Sequence, residues 1–167
     1  IGAGADGGPA LELAGDHWHL PALKLYCHAG PRRDLCDQNA LQFFVRSSSS
    51  SVGVGQLSPT VAVSTWNVNG PAVPIARYLA AGARVDETWR RVTIPLVDLA
   101  TPDWRLWNVE TLTFGNTSAG CGDQKASVLA RSCQQFLVSG IEAVRLGSTS
   151  TLCAADDALR DGLPHSV

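Results

Sequence analysis

The chain reads as all-β, folded as a two-sheet antiparallel sandwich, and three observations lead there. Runs of strict apolar/polar alternation recur along it, as in ALQFFVRS at 40–47 and TVAVSTWNV at 60–68. Period two is the mark of a half-buried strand. Clusters of Gly, Pro, Asn and Ser separate most of these runs, which is the turn chemistry of a many-stranded fold. Helical character is confined to TPDWRLW at 101–107 and AADDALRDG at 154–162, short turns in connections and tail rather than a helical layer.

In order along the chain, residues 1–10 carry no periodicity and form a flexible N-terminal segment. Their formal G-x-G-x-x-G has only Ile1 before it and Pro9 after it. A dinucleotide site needs a strand before the glycines and a helix after them, so that reading is rejected. ALELAG and HWHLPALKLY follow as short extended runs, with Leu11, Leu13, Leu23 and Leu25 as core. After the loop 27–39, Leu41, Phe43 and Val45 face inward, and Gln42, Phe44 and Arg46 face the other way. The serine run 47–51 has nothing to bury and is a loop. In the next strand Val61, Val63 and Thr65 oppose Ala62, Ser64 and Trp66. AVPIARYLA at 72–80 and WRRVTIPLVDL at 89–99 read as further strands. In the latter, Val92, Ile94 and Leu96 share one side, and Arg91, Thr93 and Val97 the other, but Pro95 interrupts. Proline cannot donate to a ladder, so this strand should lie at a sheet edge, or break or bulge at that residue. DWRLWNVETLTFGN and CQQFLVSGIEAVRL supply the last strands. The sandwich domain thus spans 11–146, and 147–167 is a Ser/Thr-rich tail or linker.

Composition narrows the function. The 167 residues carry a net charge of -2 with 17% charged side chains and no basic stripe, which excludes nucleic acid as a partner. Apolar residues are 45% of the chain, yet no run approaches the ~20 residues of a membrane span. The start at Ile1 and the lack of methionine suggest a mature chain or an excised piece of a longer one. Of the five cysteines, Cys27, Cys36, Cys121, Cys133 and Cys153, none fits a zinc spacing. A disulfide reading leads and places the protein in an oxidising compartment; the alternative is a set of buried or free thiols. The preferred pairs are Cys27 with Cys36 and Cys121 with Cys133, each bracketing one loop, with Cys153 left over to link another extracellular protein. Asn116-Thr117-Ser118 is a glycosylation sequon in a turn-rich region, which adds to a secreted reading.

The order of phrases LQFFVR, ARYLAAGARVDETWRRVTIPLVDL, WNVETLTFGN and FLVSGIEAV resembles carbohydrate-binding modules of the galactose-binding-like jelly-roll type, over nearly the whole of 11–146. T-W-R-R-V-T-I-P-L is the most specific phrase. The resemblance implies a jelly-roll-like sandwich, a polysaccharide or glycan partner, no catalysis, and an inward-packed Trp89. Such modules often hold a structural calcium through an Asp in the last strand. This chain has Ser139-Gly140 there, leaving only Asp6 and Asp16 as stray oxygen donors, and no metal or cofactor is expected. The Ala, Gly and Ser content is similar in style to extracellular glycoproteins of green algae.

Sugar recognition needs aromatic faces for stacking and planar polar groups for paired hydrogen bonds. Trp66 is the leading candidate, sharing a face with Ala62 and Ser64, although the same position suits an ordinary packed indole. Trp104 and Trp107 would form a rim platform or cap the sandwich end. Tyr78, on a strand beside Arg77, is a second stacking residue; Gln42 and Arg46 would bond to hydroxyls, or be plain solvated strand residues. His17 and His19 share a strand face but lack a third ligand, and His28 beside Cys27 lacks an orienting group. Glycoside hydrolysis needs two carboxylates in one cleft, whereas the acids here fall mainly in loops and tail, and no nucleophile or metalloprotease motif appears. A non-catalytic, secreted carbohydrate-binding-like module is the resulting expectation. The alternative is a structural or adhesion sandwich making protein contacts in an extracellular matrix, wall or filament.

Overall fold

A computed structural model describes residues 2–13, 22–24, 38–48, 59–65, 68–81, 83–101, 109–116 and 136–147. In chain order the strands among them are β1 (Gly2–Ala3), β2 (Pro9–Leu13), β3 (Ala22–Lys24), β4 (Ala40–Ser47), β5 (Pro59–Thr65), β6 (Val68–Asn69), β7 (Val73–Pro74), β8 (Arg90–Pro95), β9 (Val109–Asn116) and β10 (Phe136–Val144). The first sheet runs β1-β2-β10-β4-β8 and the second β3-β9-β5-β6, with β7 also on β5. Every pairing is antiparallel. From β2 to β5, and again from β8 to β10, the chain alternates between sheets, a jelly-roll-like sandwich.

One core fills the space between the layers. Leu41, Phe43 and Val45 of β4, Val92 and Ile94 of β8, and Phe136 and Val138 of β10 meet Val61 and Val63 of β5 and Leu112 and Phe114 of β9. Phe114 is the hinge of this packing. Its ring meets Phe43 edge-on at 5.5 Å and Phe136 at 6.2 Å, so one second-sheet ring contacts two from the first. Leu41, Phe43 and Val45 of β4, Val61 and Val63 of β5, and Val92 and Ile94 of β8 are buried, as their alternation predicts. Leu11 is a correction: it lies 41% exposed near the sheet margin, while Leu13, two residues on, is buried. Leu23 has a placed backbone in β3, and Leu25 lies outside the described residues.

Pro95 behaves as its chemistry requires. It is the last residue of β8, β8 is an edge strand, and the chain then turns into the four-residue helix α1 (Leu96–Leu99). Leu96 therefore reaches the core from a helix, with Leu99 one turn on, rather than from a continued strand. The segment 72–80 also departs from a simple strand: β7 is two residues, and Ile75–Tyr78 is a 3-10 turn. Proline at 74 ends the short ladder and leads into the turn. Gly70, between β6 and β7, must be glycine, because a Cβ there would lie against the Leu99 carbonyl and 2.7 Å from the Val63 carbonyl.

Within the segment expected to be flexible, residues 2–10 form a hairpin. Gly2 and Ala3 pair with Ala10 and Pro9. The Gly4 N–H donates to the Gly8 carbonyl at 2.6 Å, and the Gly8 N–H to Asp6 Oδ1 at 3.0 Å. The turn is anchored from outside, since the Ala5 N–H donates to Ser139 Oγ of β10 at 3.2 Å. At the far end Asn39 ties three segments. Its side chain exchanges bonds with the Leu146 backbone at 2.6 and 2.7 Å, its N–H donates to the Val144 carbonyl, and its carbonyl accepts from Leu96.

Candidate functional site

The solvent side of the first sheet holds an ordered polar and aromatic strip where β4 meets β8. The register sets Phe44 opposite Arg91, Gln42 opposite Thr93 and Val45 opposite Arg90, so the next pair along is Arg46 with Trp89. Period two turns Gln42, Phe44 and Arg46 outward on β4, and Arg91 and Thr93 outward on β8. Two guanidiniums and two aromatic rings therefore share this outer face.

The strip is fixed by its own bonds. Gln42 is only 6% exposed although it points away from the core. Its Nε2 donates to Thr93 Oγ1 at 3.0 Å, and its Oε1 accepts from Arg91 Nη2 at 2.6 Å. The amide is thereby oriented, the Thr93 hydroxyl keeps a proton to donate outward, and Arg91 is held while exposed. Arg46 lies over the Trp89 ring, its guanidinium carbon 5.0 Å from the centroid. Arg46 Nε is buried without a partner among the described residues, a state that costs about 1–3 kcal/mol per group. Phe44 is half-buried beside Gly140. Gly140 adopts φ +58 at a bulge where β10 gains one residue against β4, and a Cβ there would lie 3.4 Å from the Phe44 ring.

Charges around the strip are unevenly paired. Arg90 donates to Asp86 Oδ2 at 2.8 Å, and the Thr88 N–H donates to Asp86 Oδ1 at 2.9 Å. The Arg90 hydrogen bond, then the Thr88 one, hold the Asp86 carboxyl below the usual range, and Asp86 in turn raises Arg90. On the β2 and β10 side of the same face lie Glu12, which accepts from Ser48 Oγ at 3.2 Å, and exposed Glu142, opposite Gln42. Among the described residues no three His, Cys, Asp or Glu side chains gather as a metal site. Ser139 stands where the resemblance would place a metal-binding Asp, and it accepts the Ala5 N–H.

The sequence-predicted residues separate accordingly. Gln42 and Arg46 share the strip. Tyr78 does not sit on a strand: within the 3-10 turn its hydroxyl donates to Asp98 Oδ2 of α1 at 3.0 Å, and the Arg77 guanidinium carbon lies 5.9 Å from its ring centroid. A strand would have put Arg77 and Tyr78 on opposite sides; the tighter turn brings them together. Burial, then the Asp98 bond, raise the Tyr78 phenol above its ordinary value. Trp66, Trp104, Trp107, His17, His19, His28 and all five cysteines lie outside the described residues, as does Asp16. Asn116 is the last residue of β9, opposite Pro59. Trp89, expected to pack inward, is half-buried under Arg46 and absent from the core. It and Arg91 complete the strip, and only the β4–β8 register, which alternation does not reveal, could have joined them to Arg46 and Gln42.

Fold and strip together define a jelly-roll β-sandwich with a preorganised polar and aromatic outer sheet face. No family model matches the chain, and no curated protein matches it. Among solved structures it is similar to the family 11 carbohydrate-binding module of the cellulosomal cellulase Lic26A-Cel5E of Clostridium thermocellum, at 11% identity over 82% of this chain and 88% of that one, with a TM-score of 0.42.

Proposed function

We propose that the protein is a non-catalytic carbohydrate-binding module whose ligand lies across the β4–β8 strip. One observation carries the reading: Phe44 and the Arg46–Trp89 stack offer planar faces beside Gln42, Thr93 and Arg91, whose polar atoms are already held in place. Stacking surfaces with fixed planar donors are what a pyranose ring and its hydroxyls require. Prior fixing of those groups lowers the ordering cost of binding. The same proposal includes an extracellular setting, Cys27–Cys36 and Cys121–Cys133 bridges, and a glycan on Asn116.

Affinity electrophoresis through gels holding a panel of neutral and acidic polysaccharides tests it. The parent chain should be retarded by at least one. Phe44→Ala should reduce that retardation several-fold, in line with the ~0.5–1.5 kcal/mol of an aromatic contact, and keep its unfolding midpoint within that margin. Retardation unchanged in both Phe44→Ala and Trp89→Ala would remove the site. No retardation by any polysaccharide, with a disulfide-linked oligomer on a non-reducing gel, would favour the adhesion reading instead.

A further inference from the structure

Resting on that reading, we infer that the strip selects a carboxylate-bearing glycan, a uronic-acid polymer, with Arg91 and Arg46 as the groups that recognise the acid. The argument is one of charge. Arg90 has its carboxylate in Asp86. Arg46 and Arg91 have no ion pair among the described residues. They stand diagonally across two neighbouring strands, a separation of about 7–8 Å. No carboxylate projects from the outward positions of β4 or β8 within the strip; the acids on this face are Glu12 on β2, Glu142 on β10, and Asp6 of the β1–β2 turn, whose Oδ2 would lie 3.8 Å from a Cβ at Gly140, beside Phe44. Glu12 is two strands from Arg46, with Leu137 between them in register.

The chemistry of the two arginines suits a planar anion. A guanidinium offers a fork of N–H donors matched to a carboxylate, and Gln42 holds Arg91 so that its direction is set before ligand arrives. Arg46 lies over an indole with its Nε buried, so its terminal Nη groups are the donors left to meet an anion. A neutral glucan would leave both positive charges uncompensated under the bound sugar. A uronate chain supplies an acceptor to each while its rings lie over Phe44. Asp6, Glu12 and Glu142 on the β10 side repel the same carboxylates and so set which edge of the polymer faces β8.

The test compares polygalacturonate with its fully methyl-esterified form, using the 167-residue chain. The two polymers share a backbone and differ in charge. Binding to polygalacturonate should be at least tenfold tighter than to the ester, the scale of one charged hydrogen bond, and should weaken as salt rises. Arg91→Gln should lose about tenfold for the acid and less for the ester, so that the acid-to-ester ratio narrows. Equal binding to acid and ester would overturn this inference and leave the module reading standing. Acid-selective binding that survives both Arg91→Gln and Arg46→Gln would also overturn it, by moving the anion elsewhere. Binding to neither, nor to any polymer of the panel, would overturn both.

Discussion

Asp86 illustrates how much a single exposed side chain can be asked to do. It accepts from Arg90 and from the Thr88 N–H, while its backbone carbonyl accepts from Ser47 at 2.6 Å, joining the approach to β8 with the end of β4. Its carboxyl is held below the ordinary value, so its charged form is favoured in the fold. The contribution is therefore present above the unfolded value of about 3.9 and is lost as pH falls through the lower folded one. Both side chains are about 40% exposed, so the effect is small and screened by salt. Asp86→Asn should lower the urea midpoint slightly at about pH 6, and the loss should shrink as pH falls through the lowered folded value. A loss that does not change with pH would show that the backbone turn, not the charge, is responsible.

At the scale of elements, the β10 bulge couples fold to site. One extra residue in β10 forces Gly140 to φ +58, and the missing side chain leaves room for the Phe44 ring. An L-residue in this conformation costs roughly 1–2 kcal/mol. Gly140→Ala should destabilise by about that amount in urea titrations through its positive φ, while Gly140→Asn, better suited to positive φ, should cost less. Matching losses for both would argue that crowding against Phe44 dominates. The β8 edge shows the converse economy: Pro95 ends a ladder that charged Arg90 and Arg91 already make a poor template for another chain.

For the molecule as a whole, the two faces of the first sheet divide the work. The inner face meets the second sheet through Phe43, Phe114 and Phe136, and the outer face carries the strip. Phe114→Ala should cost about 3–5 kcal/mol, since it opens a cavity between the sheets, and that is a large share of the ~5–15 kcal/mol that holds a domain together. The same truncation at Phe44 should cost far less. Comparable losses in denaturant would mean that Phe44 is a core residue and not a platform. Among the described residues no helix is long and apolar enough to cross a membrane.

Alternation along β4, β5 and β8, and a proline placed where only an edge strand tolerates it, were enough to determine the sandwich, its inward residues and the outward aim of Gln42, Phe44, Arg46 and Arg91. Such information is local, because a strand's faces follow from parity alone. Tertiary structure alone decided that Arg46 meets Trp89, that Gln42 holds Arg91, that Tyr78 turns away to Asp98, and that the first residues form a hairpin held by Ser139. Each of these joins residues distant in sequence or depends on a turn rather than a strand. Register across strands, set by the closing of the whole barrel of contacts, is not written in either strand by itself.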